Sequence, residues 1–215
     1  MIWGSLLVLK LGGYGSPCLT TFFGLEPLVL LTPRLLLRPY EPGDAAAFYQ
    51  LLDQNRPRLE TSFPDRLRAV PTLAHAGAQL AAFAHDWRTG RFYVFGIWHR
   101  DSQTYLGDIC LMPQRGGQAE IGYYLTREAE GQGYAREALA VVVHFGFGQV
   151  RAARLLIRCF ADNLRGQAVA QALGFEPSVV PAELPLWPWL RLGSRRSAVA
   201  PELEILHFVR HAPQG

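Results

Sequence analysis

Two glycines, Gly131 and Gly133, constrain the fold of this 215-residue chain more than any other feature. They follow a strand-like run at 118–125 and precede an apolar run at helical spacing that begins at Ala135. A strand, a tight glycine turn and a helix start bring several backbone N–H groups together at the positive end of the helix dipole. Because glycine lacks a Cβ, the backbone can approach a bulky phosphate closely. The segment therefore predicts a diphosphate cradle, although a glycine pair alone is also typical of a plain turn.

Hydrophobic periodicity predicts the other elements of the chain. The predicted strands are 34–39, 91–99, 104–112, 118–125, 154–160 and 204–210. The predicted helices are 45–54, 72–89, one that starts after Gly133 and one that starts after Asn163. The segment 56–65, which contains two prolines, is predicted as a loop or broken helix. The central strands form an antiparallel meander, whereas 154–160 follows a helix and is therefore parallel to 118–125.

Composition excludes several classes of function. The net charge of +3 comes from 21 basic and 18 acidic residues scattered along the chain, which does not indicate nucleic-acid binding. No apolar run approaches the roughly 18 residues of a membrane span. No Cys or His pair has ligand spacing, so we expect no metal site.

The chain reads as a single domain over residues 29–215, with a Pro/Trp/Arg-rich insertion at about 177–201. We expect residues 1–28 to be a poorly structured N-terminal extension, or upstream sequence included by a misplaced start. Its apolar start lacks the basic region of a signal peptide. Cytoplasmic localisation is the expectation.

Two stretches carry a family resemblance. Glu120-Ile121-Gly122-Tyr123-Tyr124-Leu125, followed by Glu130-Gly131-Gln132-Gly133-Tyr134-Ala135-Arg136, resembles the acetyl-CoA signature of the GNAT superfamily of N-acetyltransferases. Within this superfamily, the two stretches resemble the branch of the ribosomal-protein alanine and serine acetyltransferases. Residues 32–176 resemble the family well. The chain departs from the family pattern at Glu130, where Gln or Arg is usual, and at Gly166, where Ser is usual.

The resemblance implies an α+β fold, the GNAT fold. Its mixed, mostly antiparallel sheet of six or seven strands is splayed in the middle and has helices on both faces. The co-substrate would be acetyl-CoA, whose pantetheine arm would lie between strands 118–125 and 154–160. The cofactor-binding residues it implies are Leu125, Thr126, Gly131, Gln132, Gly133, Tyr134, Ala135, Arg136 and Asn163. Arg136 is also explained as an ordinary surface arginine, and Asn163 as a helix N-cap.

Acetyl transfer to an amine needs a base, since an alkyl ammonium is protonated at neutral pH. Glu120 is the candidate, and together with Asn163 it forms the predicted catalytic set. The alternative for Glu120 is a solvated carboxylate on the outward face of its strand. Glu60, Tyr123 and Tyr124 are the other candidates for proton transfer.

We therefore predict an N-acetyltransferase that moves an acetyl group from acetyl-CoA to a primary amine in a ternary complex. A protein N-terminal α-amino group is the first candidate acceptor, and a small-molecule amine is the second. Glu130 and Gly166 leave open a non-catalytic acyl-CoA-binding sensor. A Rossmann or P-loop nucleotide binder is excluded, because the glycines follow an antiparallel meander. We expect a monomer or homodimer without nucleic-acid or membrane partners.

Overall fold

A mixed β-sheet organises the part of the chain that the computed structural model describes, residues 8–10, 28–178 and 204–213. The strands described are β1 (Val8–Lys10), β2 (Val29–Leu31), β3 (Leu35–Arg38), β4 (Tyr93–His99), β5 (Tyr105–Gln114), β6 (Gln118–Leu125), β7 (Arg154–Phe160), β8 (Glu176–Ser178) and β9 (Ile205–His211). Their spatial order is β1-β2-β3-β4-β5-β6-β7-β9-β8. The pairs β1–β2 and β6–β7 are parallel, and the other pairs are antiparallel. The predicted α+β fold with a mostly antiparallel sheet is confirmed.

The prediction was a sheet of six or seven strands, whereas nine strands are described. The additional strands β1, β2 and β8 are three residues long, too short to show an alternating pattern in the sequence. Pro177 is tolerated in β8 because this strand lies at the edge of the sheet. Residues 1–7, 11–27 and 179–203 lie outside the described residues, so the extension and the insertion stay predictions.

Six helices are described: α1 (Ala45–Gln54), α2 (Arg56–Ser62), α3 (Pro64–Ala69), α4 (Leu73–Arg88), α5 (Tyr134–Gly148) and α6 (Leu164–Ala172). The prediction for α1 is correct to the residue, and that for α4 is correct within one residue at each end. The segment predicted as a loop or broken helix forms α2 and α3. Its two prolines, Pro57 and Pro64, each lie in the first turn of a helix, where the missing N–H has no helical partner to lose.

Two hydrophobic cores cover the two faces of the sheet, and helices lie on both faces, as predicted. Alternation along β4 illustrates the division, since Phe95 and Ile97 pack in the cluster with α5, whereas Val94 and Trp98 pack in the cluster with α1 and α4. The side chains of β6 divide in the same way, since Ile121 packs in the first cluster and Tyr124 in the second.

A buried ion pair between Arg66 and Asp108 connects α3 to β5. Asp108 is fully buried, and its Oδ2 accepts hydrogen bonds from Arg66, from the Tyr124 hydroxyl at 2.9 Å and from the Tyr40 hydroxyl at 3.1 Å. Burial by itself lowers the pKa of Arg66, but the Asp108 carboxylate raises it above its ordinary value. The charged pair therefore holds the helical segment 56–69 against the sheet.

We expect Asp108→Asn to destabilise the fold by about 3–5 kcal/mol, because the substitution leaves the Arg66 charge buried without its counter-ion. Urea denaturation of the two proteins measures this difference. The matched control is Asp101→Asn on the exposed β4–β5 turn, which should change stability by less than about 0.5 kcal/mol. Equal stability of the Asp108 and Asp101 variants would contradict the role of the pair.

Candidate functional site

The site is a cavity that opens where β6 and β7 separate. These strands pair from Gln118–Arg154 to Ile121–Ile157, four residue pairs in all. Both strands continue beyond the last pair, and no pairing between these continuations is found in the described part of the chain. A cavity of about 790 Å³ lies against these strand ends, the glycine turn and α6. The predicted splaying of the sheet is thus observed, and the cavity has the size of a small-molecule site.

The glycine turn forms one wall of the cavity. Gly131 and Gly133 have φ angles of +74° and +81°, which glycine adopts without strain. Gly133 is the N-cap of α5, and its carbonyl accepts the first helical hydrogen bond, from the Glu137 N–H. The N–H groups of residues 134–136 therefore have no acceptor within the helix. They are available to an anionic ligand at the positive end of the helix.

Most of the predicted cofactor-binding residues come together around the cavity. Its lining includes Leu125, Gly131, Gly133, Tyr134, Ala135, Arg136 and Asn163. Thr126 and Gln132 are not among the lining residues. The Thr126 N–H donates to the Leu106 carbonyl, and the Gln132 side chain donates to the Glu128 carbonyl. Their predicted contacts with the cofactor stay predictions.

Arg34 and Glu137, which the sequence analysis missed, hold the glycine turn in place. The Glu137 carboxylate accepts hydrogen bonds from the Thr32 hydroxyl at 2.5 Å and from Arg34 Nε at 2.8 Å. Arg34 Nη1 also donates to the Gln132 carbonyl at 2.9 Å. Arg34 therefore ties both the turn and the first turn of α5 to the start of β3. An acidic residue in the first turn of a helix was the available sequence signal, but the partner lies 103 residues away.

We expect Glu137→Gln to make the stability of the protein less sensitive to acid. Burial raises the pKa of Glu137, but hydrogen bonds from Thr32 and Arg34 outweigh it and lower this pKa below the ordinary 4.5. The folded state therefore binds this proton less tightly than the unfolded chain. The stabilisation is present above pH 4.5 and is lost as the pH falls through the folded pKa. The variant should lose about 1–2 kcal/mol at pH 7.

Denaturation curves at pH 7 and at steps below 4.5 measure this effect. The difference between the variant and the wild type should shrink as the pH falls. Glu128→Gln, in an exposed position of the adjacent loop, is the control and should follow the wild type. A Glu137 deficit that stays constant over this pH range would contradict the account.

Glu120 lies in the cavity lining and is buried, with 5% of its surface exposed. It is neither solvated nor on an outward face. One carboxylate oxygen accepts a hydrogen bond from Arg158 Nε, and the other accepts one from Gln114 Nε2 at 2.9 Å. His207 lies opposite Arg158 in the β7–β9 ladder, and burial together with the Arg158 charge lowers its pKa. Glu120, Arg158 and His207 thus form one polar cluster, and the assignment of Glu120 as base stays a prediction.

The tyrosines proposed for proton transfer are poor bases here. Burial, followed by the Asp108 charge, raises the pKa of Tyr124 well above its ordinary value. Burial likewise raises the pKa of Tyr123. Both residues are in the cavity lining, and their hydroxyl groups stay protonated at neutral pH. Glu60 is exposed on α2 and is not among the lining residues.

Asn163 caps α6, as one of its two predicted roles requires. Its Oδ1 accepts a hydrogen bond from the Gly166 N–H at 2.9 Å. A Cβ at position 166 would lie 2.7 Å from the Asn163 amide nitrogen. Gly166 therefore gives the Asn163 side chain room to fold over the helix start, which explains why a glycine fits at this position.

Glu130, directly before the glycine turn, forms ion pairs with two arginines. Arg58 of α2 and Arg165 of α6 both form ion pairs with it, the second at 3.3 Å. All three side chains line the cavity. The negative charge beside the proposed phosphate site is therefore neutralised by two arginines.

Comparison with known proteins identifies the family to which this fold and cavity belong. Residues 34–176 match the family model described as "Acetyltransferase (GNAT) domain". The chain therefore belongs to the GNAT family and is an N-acetyltransferase, as the sequence resemblance predicts.

Individual proteins resemble this chain in sequence or in fold. The uncharacterized N-acetyltransferase YoaA of Bacillus subtilis (strain 168) is 27% identical over 150 residues, which cover 69% of this chain and 82% of YoaA. A structure of RimL, a ribosomal L7/L12 alpha-N-protein acetyltransferase in complex with coenzyme A, is similar with a TM-score of 0.68 and 17% identity, covering 84% of this chain and 95% of RimL. The structure of the ribosomal-protein-S5-alanine acetyltransferase from Vibrio fischeri is similar with a TM-score of 0.69 and 16% identity, covering 86% of this chain and 96% of that protein.

Among the helices in the described residues, none combines the length and the apolar character needed to cross a membrane.

Proposed function

We propose that this enzyme transfers an acetyl group from acetyl-CoA to the α-amino group of a protein N-terminus, in the cytoplasm. The observation that carries the proposal is the cavity between the separated ends of β6 and β7, with the free amides of α5 in its wall. A long pantetheine arm fits between two strand edges, and a diphosphate fits a helix N-terminus. RimL, which was solved with coenzyme A, is described as an acetyltransferase of a protein α-amino group, and this likeness supports the acceptor class.

The cofactor is held mainly by backbone groups in this proposal. The amides of Gly131, Gly133 and residues 134–136 bind the diphosphate, and the β6 edge at Leu125 binds the arm. Asn163 contacts the arm while it caps α6. A backbone N–H of β6 polarises the thioester carbonyl, as in an oxyanion hole. Fixing both reactants in one cavity removes much of the entropic barrier to the reaction.

The reaction is a direct transfer in a ternary complex. The acceptor ammonium loses one proton to Glu120, and the neutral nitrogen attacks the thioester carbon. The C–N bond forms, the C–S bond breaks, and the electron pair leaves on the coenzyme sulfur. The nitrogen then loses its second proton, and the thiolate gains one. Arg158 and Gln114 hold the Glu120 carboxylate by hydrogen bonds in the cavity lining, where it would receive this proton.

The thiolate requires a proton donor that α6 does not supply, because Gly166 replaces the serine of the family pattern. Tyr123 is the best candidate among the described residues. It lines the cavity and carries a hydroxyl group that can donate a hydrogen bond to the departing sulfur.

We expect purified protein, acetyl-CoA and N-terminal peptides to release free coenzyme thiol at a rate that depends on the peptide. Glu120→Gln should lower kcat roughly a hundredfold with little change in acetyl-CoA affinity, because it removes the base and keeps the cavity. The measurement is thiol release followed over pH, with Glu60→Gln on α2 as the matched control that keeps full activity.

Other outcomes of the same assay distinguish the alternatives. If Glu120→Gln keeps the wild-type pH–rate profile, Glu120 is not the base. Release with small amines but with no peptide would identify a small-molecule acceptor. Tight acetyl-CoA binding without acceptor-dependent release would indicate a sensor.

A further inference from the structure

The carboxylate of Glu130 stands directly before the glycine turn, between two helices that line the cavity. Arg58 reaches it from α2, and Arg165 Nη1 reaches it from α6 at 3.3 Å. The neighbouring residue Gly131 begins the turn whose amides are proposed to hold the diphosphate. An anionic side chain and an anionic ligand would therefore lie side by side, with two arginines within reach of both.

These ion pairs are suited to exchange. The side chains of Glu130 and Arg58 are 35% and 36% exposed, and that of Arg165 is 82% exposed. Exposed ion pairs are weak, so little is lost when one opens. A phosphate offers an arginine more negative charge than a carboxylate and a matching bidentate geometry. A ligand phosphate in the turn therefore competes effectively for Arg58 and Arg165.

We propose that Glu130 forms ion pairs with Arg58 and Arg165 before the coenzyme binds, and that these pairs open when the coenzyme's phosphates bind the two arginines. Glu130 thereby limits the affinity for coenzyme A in two ways. It repels the incoming phosphates, and it occupies the arginines that would otherwise bind them. This inference rests on the proposed function, because it requires phosphates at the turn.

The test is calorimetric titration of the full chain with coenzyme A. Glu130→Gln should bind coenzyme A about five- to tenfold more tightly than the wild type, because one repulsion is removed and two arginines are released. Since the Glu130 side chain is about one-third exposed, we expect the variant to fold. Glu128→Gln makes the same charge change two residues away in an exposed position, and should alter affinity less than about twofold.

A second substitution tests the exchange itself. Arg165→Gln should weaken binding more in the Glu130→Gln background than in the wild type, because only there is Arg165 free to meet the phosphate before binding. Unchanged or weaker binding by Glu130→Gln would overturn the inference, as would an equal cost of Arg165→Gln in both backgrounds. Glu130 would then serve only to brace α2 and α6. If neither the wild type nor Glu130→Gln binds coenzyme A, the proposed function fails and the inference with it.

Discussion

The separation of β6 from β7 is the constraint on which the site depends. A strand in the middle of a sheet normally satisfies its backbone groups on both edges, and unpaired buried N–H and C=O groups are costly. Here the two strands pair over four residue pairs and then continue apart. Their facing edges need a partner that is itself extended and polar, and a pantetheine arm with its two amide groups meets this need. In the proposed complex, the diphosphate that follows the arm lies at the start of α5, where further amides lack helical acceptors.

Side-chain contacts fix the elements around this opening. Arg34 and Glu137 hold the start of α5 against β3 on one side of the cavity. On the other side, the pair of Arg66 and Asp108 holds α3 against β5. Both pairs connect segments that are distant in the sequence. The start of α5 lines the cavity, and α3 follows the lining residues of α2, so the two pairs anchor elements at the cavity wall and next to it. This arrangement suits the proposed direct transfer, which requires two oriented substrates.

Much of the fold could be predicted from local patterns. Helical periodicity defined α1 and α4, and the glycine pair after a strand predicted the tight turn at the start of α5. The strands β1, β2 and β8 were missed because three residues carry no periodicity. The segment of α2 and α3 was predicted as a loop or a broken helix, and the two short helices separated at Phe63 agree with the second alternative.

The side-chain network of the site could not be predicted in the same way. Arg158 meets Glu120 across 38 residues of sequence, and Arg58 meets Glu130 across 72. Such contacts depend on strand register and helix docking, which periodicity does not specify. The two departures from the family pattern also became interpretable only in three dimensions. Glu130 is neutralised by two arginines, and Gly166 leaves room for the Asn163 cap.

The most direct test of the central claim is a titration of ¹⁵N-labelled protein with coenzyme A, followed through the backbone amide resonances. The account predicts that the largest shifts fall on Gly131, Gly133 and residues 134–136, with further shifts along 122–125 where β6 has left β7. Unchanged resonances in these two segments at saturating coenzyme A, with shifts confined to other parts of the chain, would contradict it.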